Sequence, residues 1–468
     1  MDKNTIINGN CLDVLKDVSL FPNESIDLIV TSPPYADKRG KNYPTIPSKE
    51  YVKWFLKLSK ELKRVLKSRG SFILNIKEHV KDFERQTYTY ELVLALKEQG
   101  WLWIEEYCWY KKTSFPGKWK VRFRDNWERC YHFAKQKDLK FYHSSVEKPI
   151  GDWAKIRFKD GIIKDIDKNK YKSKTGSGFS RKVENWSEKD TVHPHNVLEF
   201  NEIDTPLIKL ASVTSNVNHS AAFPIELPGW FMKLLTRKND IVLDPFMGSG
   251  STALAAIEHN RNYIGIEIEQ DFIDVANTRI VMDSIFKTRK ALTEKNLNTL
   301  ASIENRSCVY AFFLKSSSSL KKFSKSRKLL YLGITNRGLA VRELDEHLKD
   351  GKTPNSSFRR SIGAILKKKL KLEVLPRTLK NPKYDKYRFT KDSESKLTDW
   401  IKKNCVIGYW ASVRNLSKKE LMDLETALTV HYEPTLNLAP KTIKHNKQAR
   451  HLTSLRKVCS DEWRKKIK

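Results

Sequence analysis

The order of apolar and polar positions predicts alternating strands and helices over the first 111 residues. Apolar runs typical of buried strands cover residues 25–31 and 71–76. Between them, Phe55, Leu58, Leu62 and Val65 recur every three or four residues, which is helical spacing. A helix at 90–98 and strands at 103–110 and 127–133 follow. This alternation predicts an α/β fold with a doubly wound, Rossmann-like sheet.

The periodic pattern fades between Lys111 and Leu210 and returns at Pro224. The intervening segment is basic and rich in Trp, Lys, Ser and Gly. It is either an insertion that contacts a ligand or a set of loops. After Pro224 come a helix at 227–235, the strand IVLD, a glycine loop, the helix TALAAIEH and the strand NYIGIEI. The first domain is therefore predicted to span residues 1–285, with an insertion at 111–210.

A second, smaller α/β unit is predicted over residues 305–442. A lysine-rich linker at 286–304 precedes it, and a basic tail at 443–468 follows. A chain of 468 residues is too long for one compact core, so two or three domains are expected.

The chain is strongly basic, because its 88 Lys and Arg residues outnumber its 55 Asp and Glu residues and leave a formal net charge of +33. Such an excess favours a polyanionic partner such as double-stranded DNA, since each neutralised phosphate releases counterions. A merely basic protein is the alternative. No apolar run approaches the ~20 residues needed to cross a bilayer, and the six cysteines form no C-x-x-C pair. We therefore expect a cytoplasmic protein with no membrane partner and no zinc site.

The loop DPFMGSGST, from Asp244 to Thr252, lies between a predicted strand and a helix. Gly248 and Gly250 let the backbone approach a ligand, and the helix behind them presents free N–H groups. Glu267 ends the next strand, where an acid can accept hydrogen bonds from a ribose. Neither a Walker lysine nor a G-x-G-x-x-G pattern is present. The loop therefore favours a nucleoside cofactor without a pyrophosphate, such as S-adenosylmethionine, with a structural turn as the alternative.

The strand IDLIVT ends in Ser32-Pro33-Pro34-Tyr35. Consecutive prolines fix φ and remove two N–H donors, which leaves the Pro33 carbonyl as an acceptor beside the Ser32 hydroxyl. Two acceptors can hold an exocyclic amine, and Tyr35 offers a face on which an extruded base can stack. The alternative is a strand terminator with an ordinary tyrosine.

Together, TSPPY and the later DPFMGSGST resemble the amino-methylating DNA methyltransferases of the β order, over residues 1 to about 283. In that family the catalytic motif precedes the cofactor motif, and target-recognition sequence lies between them. The resemblance implies catalytic roles for Ser32, Pro33, Pro34 and Tyr35, and a target-recognition role for 111–210. It implies S-adenosylmethionine binding by Phe223, Asp244, Phe246, Gly248, Gly250, Thr252 and Glu267. Ser at the first position favours cytosine N4, with adenine N6 as the alternative.

Three pieces of the second unit also belong together: CVYAFFLK, RKLLYLGITNRGLAVRELDEHLKDG and LMDLETALTVHYEPTLNLAP. Their Tyr, Arg and Glu residues suit water activation, phosphate binding and a divalent metal. The set resembles the GIY-YIG nuclease domain. The resemblance implies that Tyr310 and Tyr331 surround the attacking water, with His347 and Asn437 as further matches. It also implies that Arg342 steadies the phosphate, with Arg337 as the alternative, and that Glu425 holds one Mg²⁺.

Two hypotheses follow. The first is a one-chain restriction–modification enzyme that methylates DNA and, as a type II-like endonuclease, cuts DNA lacking the mark. The second is a non-cleaving DNA modifier whose C-terminal unit only clamps the duplex. A nuclease unit with one metal cuts one strand, so double-strand cleavage predicts a transient homodimer on DNA.

Overall fold

The computed structural model describes most of the chain as two compact units. The first unit holds residues 1–201 and 223–269, and the second begins at Gln270. The described ranges are 1–37, 46–112, 120–151, 191–201, 223–301, 306–315, 320, 329–339, 346–377, 387–412, 414–440 and 442–467. No helix among these residues is both long and apolar enough to span a bilayer.

The first unit is built on a mixed eight-stranded sheet in the order β1-β12-β11-β2-β3-β7-β6-β10. Strands β1, β12, β11, β2 and β3 run parallel to one another, whereas β7 runs antiparallel between β3 and β6. The strands of this unit are β1 (Thr5–Asn8), β2 (Ile26–Thr31), β3 (Leu66–Ile76), β4 (Val80–Lys81), β5 (Glu84–Arg85), β6 (Leu102–Lys111), β7 (Trp127–Ala134), β8 (Lys148–Pro149), β9 (Thr191–Val192), β10 (Val197–Phe200), β11 (Ile241–Asp244) and β12 (Asn262–Glu267).

The helices of this unit form where apolar residues repeat at helical spacing. In the second helix, Tyr51, Phe55, Leu58 and Leu62 are buried along one face, because residues three and four apart share a face. The helices are α1 (Cys11–Lys16), α2 (Ser48–Val65), α3 (Tyr88–Glu98), α4 (Glu226–Leu235) and α5 (Ser251–Glu258). The predicted doubly wound sheet is confirmed.

The predicted insertion at 111–210 divides between the sheet and undescribed residues. Strand β7 lies inside the sheet, and β10 forms its edge beside β6. Residues 113–119, 152–190 and 202–210 lie outside the described residues, so target recognition by this segment stays a prediction.

The second unit centres on a four-stranded antiparallel sheet in the order β13-β18-β14-β15. Its strands are β13 (Lys290–Ala291), β14 (Cys308–Leu314), β15 (Leu329–Thr335), β16 (Val374–Pro376), β17 (Tyr387–Phe389) and β18 (Cys405–Ala411). Its helices are α6 (Gln270–Lys287), α7 (Glu294–Ala301), α8 (Ser357–Leu370), α9 (Lys391–Asn404), α10 (Lys418–Tyr432) and α11 (Ala449–Ile467). All seven side chains of β14 are buried.

Helices cover both faces of this sheet. Val309 and Ala311 point to the face that packs against α6 and α10, and Tyr310 and Phe312 point to the face that packs against α8, α9 and α11. Successive strand residues point to opposite faces, which explains this division.

Two segments differ from the sequence-based expectation. The stretch predicted as a linker, 286–304, contributes β13 and α7 to the second unit. The stretch predicted as a basic tail contains α11, and its Leu452, Cys459 and Trp463 are buried in the core of this unit. These apolar residues stand at helical spacing, but the dense Lys and Arg between them obscured the pattern.

Candidate functional site

The two motifs of the first unit meet at one edge of the sheet. Strands β2 and β11 are parallel neighbours, with Leu28 opposite Val242, so their carboxyl ends open at the same edge. The Thr31 hydroxyl donates a hydrogen bond to Oδ1 of Asp244 at 2.7 Å. This bond joins the residue before Ser32 to the first residue of the glycine loop.

Asp244 anchors the glycine loop from within. Its side chain is only 1% exposed, and besides Thr31 it accepts hydrogen bonds from the Thr252 hydroxyl at 2.6 Å and the Phe246 N–H at 3.1 Å. Burial raises the pKa of this carboxyl to about 6 despite these three donors. Asp244 and Thr252 therefore shape the loop through contacts inside the protein.

The glycine loop and Glu267 are also brought together. Gly248 and Gly250 have φ of +51° and +87°, values that residues with a Cβ rarely adopt. The Gly248 N–H donates to Oε2 of Glu267 at 2.8 Å, and the Glu269 N–H donates to Oε1 at 3.0 Å. Burial raises the pKa of Glu267. A carboxylate has about four lone-pair sites, so Glu267 retains capacity to accept a ribose hydroxyl.

The two predicted aromatic neighbours of the cofactor lie on different elements. Phe246 packs against Trp54 of α2, with 6.0 Å between ring centroids. Phe223 is buried just before α4, a helix that packs against α5. Their contact with a cofactor stays a prediction.

The backbone of the Ser-Pro-Pro-Tyr motif is fixed by a tyrosine that the sequence did not reveal. The Tyr51 hydroxyl donates to the carbonyl of Pro34 at 2.8 Å. Within the described part of the chain, no hydrogen bond to the Pro33 carbonyl is present. The Pro34 carbonyl therefore already accepts a hydrogen bond, whereas the Pro33 carbonyl, the predicted acceptor, can still accept one from a bound base.

A buried ion pair holds Tyr35. The Tyr35 hydroxyl donates to Oε2 of Glu128 at 2.8 Å, and Nζ of Lys111 donates to Oε1 at 2.9 Å. Burial opposes ionisation of Glu128, but Lys111, the Tyr35 hydroxyl and Lys77 together outweigh burial, and the pKa of Glu128 is lowered. An ionised carboxylate only accepts hydrogen bonds, so Tyr35 must donate its proton to Glu128.

Ser32 lies near this phenol, since its side chain opposes the rise that burial causes in the pKa of Tyr35. Because the Tyr35 proton is committed to Glu128, the Tyr35 oxygen can only accept from other donors. The Ser32 hydroxyl oxygen has two lone pairs that can accept from an external donor. No sequence signal marked Glu128 or Lys111, because both lie far along the chain on β7 and β6.

In the second unit, three predicted site residues converge on one face of the sheet. The Tyr310 hydroxyl lies 2.9 Å from Nε2 of His347, and Nδ1 of His347 lies 2.7 Å from the Ser356 hydroxyl. The rings of Tyr331 and His347 are 5.6 Å apart, and those of Tyr310 and Tyr331 are 6.3 Å apart. Ser356, the N-cap of α8, was missed because only the fold brings it to His347.

The glycine of Tyr331-Leu332-Gly333 is required by Tyr310. Gly333 pairs directly with Tyr310 across β14 and β15. A Cβ at Gly333 would lie 2.4 Å from Tyr310 Oη, which is far inside van der Waals contact. The Tyr310 ring therefore lies over bare backbone.

The remaining predicted residues of this unit are Glu425, Arg342 and Asn437. Glu425 lies on α10, which packs through Leu428 against the opposite face of the sheet. Arg342 lies outside the described residues. The Asn437 side chain binds both backbone groups of Leu332, at 3.0 and 2.9 Å. The described ranges contain no group of three or more His, Cys, Asp or Glu side chains placed to hold a metal, so the metal role of Glu425 stays a prediction.

Comparison with known proteins decides the family. A match to the family described as DNA methylase covers residues 26–278, more than half of the chain. The chain belongs to the DNA methylase family. Among relatives of this methylase, the type II methyltransferase M.PvuII of Proteus hauseri is 30% identical over 295 residues, covering 59% of this chain and 83% of that protein. The type II methyltransferase M.BglII of Bacillus subtilis is 27% identical over 281 residues, covering 58% and 68%.

The methylase also carries a GIY-YIG domain in its C-terminal region, since a match to the GIY-YIG catalytic domain covers residues 285–458. Both resemblances predicted from the sequence are confirmed. A solved structure described as PvuII DNA methyltransferase (cytosine-N4-specific) is 24% identical, covers 59% of this methylase and 86% of that chain, and superposes with a TM-score of 0.45.

Proposed function

We propose that the first unit transfers a methyl group from S-adenosylmethionine to N4 of cytosine at a specific DNA site. The observation that carries this proposal is the hydrogen bond between Thr31 and Asp244. It brings the Ser-Pro-Pro-Tyr motif to the glycine loop, so an amine held at the first can face a methyl donor held at the second.

The residues present fit this cofactor. The left-handed Gly248 and Gly250 leave the loop backbone open to close approach, and Glu267 is fixed by two N–H donors with lone pairs to spare. When bound, S-adenosylmethionine supplies an electrophilic methyl group. The pattern Ser32-Pro33-Pro34-Tyr35 supports cytosine as the base.

The chain's own residues act chiefly by positioning the base. The Ser32 oxygen and the Pro33 carbonyl would accept hydrogen bonds from the two N–H groups of the amine, which turns its lone pair outward. The proton that the methylated amine loses would pass to water. Tyr35 offers its ring to the extruded base, and Glu128 holds that ring by its hydroxyl. Orientation and fixed dipoles supply the rate without a strong base.

We further propose that the GIY-YIG domain cuts DNA that lacks the methyl mark, with Mg²⁺. The support is the convergence of Tyr310, Tyr331 and His347. His347 can exchange a proton with the Tyr310 hydroxyl and so help it to activate water. Mg²⁺ usually retains several waters and binds through one or two carboxylates plus phosphate oxygens, so Glu425 alone is compatible with that role. The net charge of +33 supports DNA as the partner.

The methyl-transfer proposal is tested in a Glu425→Gln background, which protects the host DNA. Modification-sensitive sequencing and mass analysis of nucleosides from expressing cells should show N4-methylcytosine at one motif. Ser32→Ala should remove the mark. Ser25→Ala, the same change at the half-buried residue just before the strand, should leave it. N6-methyladenine in place of N4-methylcytosine would refute the choice of base.

The nuclease proposal is tested with purified protein, Mg²⁺ and plasmids with or without the mark. Unmarked plasmid should be cut at fixed positions, and marked plasmid should survive. Glu425→Gln should abolish cutting and spare methylation, whereas Asp423→Asn on the same helix should leave both intact. An uncut, methylated plasmid would instead support a clamp. Sedimentation with a site-bearing duplex should show a 2:1 complex if two copies cut the two strands.

A further inference from the structure

Three arginines of the second unit come from elements that pack against one another, because α11 contacts both α8 and β16. Arg360 lies on α8, Arg377 directly follows β16, and Arg456 lies on α11. Arg360 is influenced electrostatically by both other arginines and by the hydroxyl of Tyr331. We call Arg360, Arg377 and Arg456 the three-arginine cluster.

The guanidinium of Arg360 is held in place yet incompletely satisfied. The residue is 7% exposed, and its Nη1 donates to the carbonyls of Thr353 and Pro354 at 3.3 and 2.5 Å. Its Nε is buried without a hydrogen-bond partner. Buried polar groups are nearly always paired, so a donor in this state points to a missing acceptor.

The cluster also lacks a counter-charge. In the part of the chain that the structure describes, none of its members lies within 4.0 Å of a carboxylate. Burial, followed by the charge of Arg456, lowers the pKa of Arg360 to about 10, and burial lowers the pKa of Arg456 as well. Keeping these partly buried guanidinium groups charged therefore destabilises the free protein, and a bound anion would reduce that destabilisation.

The neighbouring Arg359 shows that this unit neutralises a buried arginine where no ligand is needed. Its side chain is fully buried and its Nη2 lies 2.6 Å from Oε2 of Glu394. Thr398 and the carbonyl of His347 accept from its Nη1 at 3.0 and 3.1 Å. Arg359 thus has an acid as its partner, whereas its neighbour Arg360 has none among the described residues.

We infer that the three-arginine cluster binds one backbone phosphate of the DNA that the GIY-YIG domain cuts, beside Tyr331. The inference rests on the proposed nuclease function. Guanidinium groups match phosphate oxygens in bidentate geometry, and such contacts fix the register of a duplex without reading its sequence. Arg456 belongs to α11, so the segment predicted as a basic tail would supply part of the site.

The experiment is a double-mutant cycle between Arg456 and single phosphates. Arg456→Met removes the charge and keeps the apolar stem, and Arg450→Met makes the same change at an exposed position of the same helix. Duplexes that the full chain binds, each with one methylphosphonate, are titrated in Ca²⁺ by fluorescence anisotropy. A methylphosphonate removes one backbone charge.

The wild-type protein should lose about tenfold in affinity at one methylphosphonate position, as for the loss of one charge-assisted contact. The Arg456→Met protein should lose less than about twofold in DNA affinity at that position, because the arginine that contacts the phosphate is already absent. The slope of its log affinity against log salt concentration should be smaller by ~1 than that of the wild type. Arg450→Met should match the wild type at that position. The inference would be overturned if the affinity losses from Arg456→Met and from the methylphosphonate simply added at every position. It would also be overturned if no methylphosphonate weakened binding by the wild type.

Binding in Ca²⁺ does not depend on cutting. A chain that never cleaves DNA in Mg²⁺ would therefore refute the proposed nuclease and leave this cycle to decide the phosphate site. A chain that cuts normally after Arg456→Met, with an additive cycle, would refute the phosphate site and leave the nuclease standing.

Discussion

Replacing Asp244 with Asn should stabilise the first unit in a pH-dependent way. The folded protein raises the pKa of this carboxyl from its ordinary value of 3.8 to about 6, through burial. The folded state therefore binds this proton more tightly than the unfolded state. This carboxyl therefore destabilises the folded state least below pH 3.8. Its destabilising effect grows as the pH rises through this interval and is complete above pH 6. At ~1.4 kcal/mol per pKa unit, that effect is about 3 kcal/mol.

Asn at this position is neutral and keeps the hydrogen bonds. Its oxygen can accept from Thr31 and the Phe246 N–H, and its amide can donate to Thr252 once that hydroxyl rotates. Asp244→Asn should thus gain up to about 3 kcal/mol at pH 8, with the gain falling to about half near pH 5 and vanishing only below pH 3.8. Hydrogen exchange of the β11 amides, measured in urea series, reports this unit alone.

Asp82→Asn is the matched control, since it removes one negative charge from an exposed loop position and should show no such pH dependence. A variant less stable than the wild type at pH 8 would refute the reasoning. So would a gain of equal size at pH 5 and pH 8.

Three further predictions concern side chains that position the two sites. Gly333→Ala places a Cβ 2.4 Å from the Tyr310 hydroxyl and should cost about 1–3 kcal/mol; an unchanged thermal midpoint of the second unit would contradict this. Tyr35→Phe removes the donor to Glu128 and should lower kcat for methyl transfer while leaving KM for DNA nearly constant; steady-state kinetics with equal kcat would reject the orienting role. Glu394→Gln leaves its buried arginine partner uncompensated and should cost about 3–5 kcal/mol in urea unfolding; a loss below about 1 kcal/mol would count against it.

The sheet of the first unit was predictable because its buried strands are recognisable in the sequence as short runs of apolar residues. The run IDLIVT is entirely buried, and apolar runs of that length alternate with helical spacing on either side. Once β2 and β11 are placed as parallel strands, their motifs must share an edge. The contact of Thr31, at the end of β2, with Asp244 of the glycine loop therefore follows from fold class and motif order.

The supporting partners of the site were not predictable in the same way. Tyr35 and Glu128 are 93 positions apart, and their contact depends on how β7 is aligned within the sheet. Ser356 reaches His347 only because α8 begins beside it. Such contacts depend on strand register and helix starts, which no local spacing encodes. The metal role of Glu425 rests on resemblance alone.

The burial of α11 in the GIY-YIG domain has a consequence for synthesis. Trp463 completes the core that surrounds Tyr310, and it follows Glu267 by 196 residues. At a translation rate of about 5–20 residues per second, the ribosome releases Trp463 roughly 10–40 seconds after Glu267. Each newborn molecule would then complete its methylase unit before its GIY-YIG unit, so that under the proposed function methylation could begin before cutting.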